Sequence, residues 1–156
     1  ATGFPGMKIL EFGFMGEDPK SEDLPHHYPV NAVAYTGTHD NDTVLGWYES
    51  ATEETREFCN RYLNRREEEP ISFELLRGLY GSVSRMTVAT MQDLLQLDGT
   101  ARMNIPSTLG GNWVWRMTNE QLTESVEEFL LEITELYDRA NPNHNVDVEE
   151  KLVEAK

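Results

Sequence analysis

Cysteine is almost absent: Cys59 stands alone in 156 residues, which excludes an internal disulfide and any zinc site built on several thiolates. It falls on a helical face near Phe58 and Tyr62, where a small packing residue is expected rather than a nucleophile. No run reaches the apolar length of a bilayer crossing. The N-terminus has neither a basic start nor a long apolar stretch, so no signal peptide is expected and a cytoplasmic setting fits. Cations are scarce as well, with 13 Lys and Arg against 28 Asp and Glu and a net charge of −15. Such a surface repels nucleic acid and anionic membrane, and is read as serving solubility. Gly-x-Gly-x-x-Gly and Gly-x-x-x-x-Gly-Lys are missing, so phosphate cradling has no support. A nucleophile-elbow pattern is missing too, which leaves acyl transfer little support.

What is present describes a folded domain. Three Trp, six Phe and six Tyr argue against disorder, and the length permits one real core. Strands are expected over Met7 to Phe14, Val30 to Tyr35 and Met86 to Met91, the third of them buried. Pro19, Pro25 and Pro29 exclude a regular helix between the first two. Asp42 is placed to cap a short helix through Trp47 and Tyr48. Ser50-Ala51-Thr52-Glu53 has the capping-box form, opening a helix that runs to about Arg66. Ser72 is expected to cap a helix whose apolar face is Phe73, Leu76, Tyr80 and Val83. The longest helix opens at the box Thr118-x-x-Gln121, with Leu122, Val126, Phe129, Ile133 and Leu136 on one stripe down to Ala140. The order predicts an α/β fold with part of a parallel sheet, not a closed barrel.

The chemically suggestive stretch is Tyr35-Thr36-Gly37-Thr38-His39-Asp40-Asn41-Asp42-Thr43. A strand that stops at Gly37 and delivers a His-Asp pair before the next helix has the layout of an active-site loop at the carboxyl end of a parallel strand. Two uses fit Asp40: gripping sugar hydroxyls and balancing developing positive charge, or capping the following helix. For Asp42, capping is favoured. A divalent-metal reading would join His39, Asp40 and Asp42 to His26 or His27, but no His-x-x-x-His spacing supports it. Trp113 and Trp115 fit either sugar stacking or pinning of their own loop. Arg116 fits an ion pair or carbonyl contact, and Asn104 fits either a hydroxyl contact or a turn before Ile105-Pro106.

Taken together, six blocks in order resemble the amylomaltase or 4-α-glucanotransferase family, the disproportionating enzymes of plants, within the α-amylase-like group. They are Pro5 to Phe12, Leu24-Pro25-His26, Tyr35 to Thr43, Gln92 to Leu95, Ala101 to Pro106 and Gly111 to Arg116. The family usually continues the Gln92 block as Leu-Leu-Gly-Leu-Gly, where Gln96 and Asp98 stand here, and has Gly after Pro106, where Ser107 stands. The resemblance implies a (β/α)8 barrel that moves α-1,4-glucan segments between maltooligosaccharides with retention, through an aspartate nucleophile and a glutamate acid/base. By that resemblance Asp40 is the third catalytic acid, holding two hydroxyls of the sugar at the cleavage point. His39 and Asn104 are then substrate contacts, and Phe12 borders the cleft. No cofactor or metal is implied. Residues 1–142 then correspond to about strands 6–8 of the barrel with their helices, and 143–156 to an acidic tail. A whole barrel needs about 250 residues, so the chain is expected to be a C-terminal portion, with the other two catalytic carboxylates upstream. The alternative is a glucan-binding or structural module without chemistry. Alone, the chain is expected to be inactive and to associate with copies of itself through open sheet edges. A maltotriose disproportionation assay and light scattering check those two expectations.

Overall fold

A computed structural model describes residues 3–140. Three short strands, β1 (Gly6–Ile9), β2 (Ala32–Tyr35) and β3 (Met86–Val88), form one parallel sheet in that order. Met7 pairs with Val33 and Val33 with Met86; Ile9 pairs with Tyr35 and Tyr35 with Val88. Because strand side chains alternate, these residues share one face, and Ala32 and Ala34 point to the other. The two alanines are fully buried beneath the helices. Met7, Met86 and Val88 instead face outward, 58%, 56% and 37% exposed. The expected burial of the third strand is therefore corrected: among the described residues one face of the sheet is packed, and the other is open at Met7, Met86 and Val88, with Ile9 buried at its edge.

Among the described residues six α-helices accompany the strands: α1 (Leu10–Phe14), α2 (Val44–Ser50), α3 (Glu53–Leu63), α4 (Ile71–Tyr80), α5 (Met91–Leu94) and α6 (Glu124–Leu136). The hub is α4, which touches α2, α3, α5 and α6. Leu75, Leu76 and Leu79 of α4 are completely buried, in one core with Phe14, Trp47, Phe58 and Ile133. Phe14 packs edge-on against Phe58 and Tyr62, and Phe73 stacks on Phe129 with centroids 3.8 Å apart. Cys59 lies in the same core, where burial pushes its thiol pKa up to about 12 and leaves it a packing residue.

Several boundaries differ from expectation, each for a local reason. The first strand ends at Ile9, and Leu10 to Phe14 turn into a helix that buries Leu10, Glu11 and Phe14. Thr43, not Asp42, caps α2 by accepting the Gly46 amide at 3.1 Å. Thr52 rather than Ser50 caps α3, and α4 begins behind Pro70 with Ser72 buried inside it. The capping box at Thr118 and Gln121 is real but closes a 3-10 turn, while α6 starts later, at Glu124. Leu122 and Leu136 accordingly fall off the buried stripe, which keeps Phe129 and Ile133. Val83 lies beyond α4 and is exposed. The acidic segment 143–156 falls outside the described residues.

Two of the departures from the family pattern meet an unusual backbone. Gln96 and Ser107 both sit at positive φ, 56° and 64°. At Gln96 the Leu97 amide bonds back to Gln92 and the Gln96 amide to Asp93, the paired closure that ends a helix on a left-handed residue, usually Gly. Asp98 differs: its φ of −74° needs no glycine, and its carboxylate accepts the Thr100 amide. A side chain at Gln96 pays a steric cost with no packing in return, since the residue is exposed. Gln96→Gly is expected to raise the urea midpoint, adding about 0.5–1 kcal/mol; a fall in stability would contradict the assignment.

Candidate functional site

The carboxyl ends of all three strands converge on one polar cluster with a buried floor and an open rim. On the floor, Thr36 leaves β2 fully buried and donates its hydroxyl to Asp93 Oδ2 at 2.6 Å. The other oxygen, Oδ1, accepts the Val44 amide at 2.9 Å, at the start of α2. Asp93 is 2% exposed and thereby ties α5 to both ends of the loop between β2 and α2. Burial raises its pKa, an effect that the hydrogen bonds from Thr36, Val44 and Thr90 oppose. Glu11, also 2% exposed, lies on the same floor.

Above the floor the chain makes a tight turn. Asn41 Oδ1 accepts both the Thr38 amide (2.9 Å) and the Thr38 hydroxyl (2.7 Å), and the Asp40 amide donates to Thr38 Oγ1. This side-chain closure is a regular use of Asn in turns. Arg102 clasps the turn from the next loop, with Nη2 donating to the Asp40 carbonyl and Nε to the Asn104 carbonyl at 2.8 Å. Asp42 lies 3.9 Å from Arg102 Nη1. Its carboxylate is wedged against Gly46, where a Cβ would come within 2.7 Å of Oδ1.

The rim holds the exposed groups. Asp40 is about half exposed, and Oδ1 accepts the Asn104 amide at 2.6 Å with His39 Nε2 3.4 Å away. The Trp113 ring packs on His39 with centroids 5.0 Å apart. Beside them opens a cleft of about 760 Å³, lined by Met7, Phe12, Tyr35, His39, Asp40 and Thr90. Carboxylate and imidazole at a rim, with aromatic and apolar walls below, suit a ligand with many hydroxyls and C–H faces.

Of the site residues that the family resemblance implied, His39, Asp40 and Asn104 meet at this rim, and Phe12 lines the cleft beside it. Asp40 does not cap α2, a role that Thr43 fills. Trp113 is half exposed and faces His39, whereas Trp115 is less exposed and its carbonyl accepts from Arg116. The metal arrangement is not formed: among the described residues no group of three His, Cys, Asp or Glu could hold an ion. His26 instead bonds to the Tyr62 hydroxyl at 2.9 Å. Sequence reasoning missed Glu11, Asp93 and Arg102. Only Asp93 left a local trace, as the fourth residue of Thr90-Met91-Gln92-Asp93, where Thr90 caps α5 by accepting the Asp93 amide.

Comparison with known proteins gives a consistent picture. A family profile described as 4-alpha-glucanotransferase matches residues 1–123. The 4-alpha-glucanotransferase of Streptococcus pneumoniae is 60% identical over 143 residues, which make up 91% of this chain and 28% of that protein. That of Clostridium butyricum is 45% identical over 88% of this chain and 28% of its own length. Among solved structures, an amylomaltase from Streptococcus agalactiae in complex with acarbose superposes with a TM-score of 0.88 at 51% identity, over 90% of this chain and 28% of that one. The chain thus spans little more than a quarter of each of these relatives.

Removing the buried strut should be costly. Asp93→Ala leaves the Thr36 hydroxyl and the Val44 amide without partners in a closed environment, and is expected to lower folding stability by about 3 kcal/mol. Urea denaturation checks this, and a loss below about 1 kcal/mol would contradict the role given to Asp93.

Proposed function

This chain belongs to the family of 4-alpha-glucanotransferases, and we propose that it forms one side of the catalytic cleft of such an enzyme, which transfers α-1,4-glucan segments between maltooligosaccharides. The observation that carries the reading is the half-exposed Asp40 carboxylate, bonded to Asn104 and flanked by His39 at the carboxyl ends of three parallel strands. The open apolar face of the sheet supports a place in a larger barrel, because parallel sheets are normally covered on both faces. The three strands then correspond to about the sixth to eighth of a (β/α)8 barrel, with residues 1–142 in the barrel and 143–156 as a tail.

In this reading the reaction is a retaining double displacement. A carboxylate nucleophile displaces the leaving glucan from the anomeric carbon while an acid protonates the leaving oxygen, and an acceptor hydroxyl then resolves the glycosyl intermediate. The remainder of the barrel supplies nucleophile and acid/base. Asp40 accepts hydrogen bonds from two hydroxyls of the sugar being cleaved, and its charge favours the oxocarbenium-like state. His39 donates to the same ring, Asn104 holds Asp40 and reaches a neighbouring glucan unit, and Phe12 walls the cleft.

Titration of the chain with maltooligosaccharides, followed by NMR, tests the binding half of the reading. Shifts at His39 and the Trp113 indole are expected, with affinity reduced about tenfold or more in Asp40→Ala, as for loss of charge-assisted hydrogen bonds. Adding the preceding part of the Streptococcus pneumoniae relative in trans tests the chemical half, with disproportionation of maltotriose expected and lost in Asp40→Asn. Equal binding and equal activity in both variants would overturn the proposal.

A further inference from the structure

Glu11 is a buried carboxyl that the functional reading leaves unused. It sits in the first turn of α1, its amide donates to the Thr36 carbonyl, and its side chain passes under the turn that carries His39 and Asp40. Oε1 is buried without a hydrogen-bond partner among the described residues. It occupies the space that a side chain at residue 37 would need: a Cβ on Gly37 would lie 2.8 Å from Oε1 and 3.0 Å from the Asn41 Cβ. The carboxyl is therefore lodged between Gly37 and Asn41, the two ends of the turn. Gly37 is required here for space, since its φ is ordinary.

We propose that Glu11 is a positioning residue for the reaction centre, wedged under residues 37–41 so as to fix the angle at which His39 and Asp40 meet the cleft. The geometry is that of a keystone, filling the gap left by Gly37 and touching the residue whose side chain closes the turn. The groups facing it from the surrounding elements are Asp93 on α5, Asn41 and Asp42 on the loop, and Arg102 beyond the following turn. Its pKa is raised from 4.5 to about 8, first by burial and then by the charge of Asp93, with Asn41 and Arg102 pulling the other way. The wedge is thus a neutral carboxylic acid at neutral pH. Between the ordinary carboxylate range and about pH 8, an opening of the turn that exposes Glu11 releases its proton and is favoured by rising pH; above about 8 the carboxylate is charged in the closed turn too, beside Asp93 and Asp42. The unfolded chain releases this proton near 4.5 and the folded chain retains it to about 8, so stability falls across that window.

The test is a pH series on the wild-type chain and on Glu11→Gln, which keeps shape and neutrality. Side-chain carboxyl NMR reads the titration of Glu11, and amide-exchange protection reads the order of residues 37–41. Maltooligosaccharide affinity is measured in parallel; only this arm rests on the proposed function. In wild type, Glu11 is expected to titrate far above the usual carboxylate range, and turn protection to fall by up to about tenfold per pH unit between about 4.5 and 8, levelling off above that. Glucan affinity should fall with it, while Glu11→Gln holds both steady within about twofold. Ordinary titration of Glu11, or an identical loss of protection with rising pH in Glu11→Gln, overturns the proposal, and the first needs no variant to fold. Loss of protection that tracks Glu11, with no glucan binding at any pH, supports the positioning role and sinks the functional reading instead.

Discussion

Thr36 gives its hydroxyl proton to one oxygen of Asp93 while the other oxygen takes the Val44 amide, and this pair of bonds decides where the chain can go between β2 and α2. Eight residues, 36–43, must leave the sheet, present a His-Asp pair and lead into a helix, with both ends of the span held by one buried side chain. An unpaired hydroxyl or amide at that depth would cost more than most surface contacts return, so the alternatives are few. The turn within the span is then closed by Asn41 and clasped by Arg102.

The consequence is a rim that is set before a ligand arrives. Asp40 already accepts a hydrogen bond from Asn104, and the His39 ring is backed by Trp113. Groups fixed in this way need little rearrangement when charge develops in front of them, the property that makes oriented dipoles and carboxylates effective. The two acidic layers divide the labour. Glu11 and Asp93, each 2% exposed, hold the turn from beneath, and the half-exposed Asp40 faces outward.

The sequence exposed the rim better than the floor. The apolar run into Gly37, followed by His39 and Asp40, is a local pattern and could be read directly. Phe12 and Asn104 were reachable through the family blocks that contain them. Glu11 and Arg102 stood inside quoted blocks too, yet their roles depend on distant partners: Arg102 reaches Asp40 across 62 positions and Asp93 reaches Thr36 across 57. No spacing rule spans such separations. Helix starts slipped where several hydroxyl residues competed, as with Ser50 and Thr52 or Thr118 and Thr123. Thr90 scored as a strand former but caps α5. For β3 the apolar pattern identified a face without revealing what covers it.

The central claim is that residue 40 meets a sugar directly. A crystal structure of the chain with a bound maltooligosaccharide addresses it without relying on rates or affinities. The account predicts both Asp40 oxygens within about 2.5–3.2 Å of hydroxyls on a single ring, with His39 contacting the same ring. A glucan bound elsewhere on the molecule, or one in this cleft whose hydroxyls all lie beyond about 4 Å from Asp40, would contradict it.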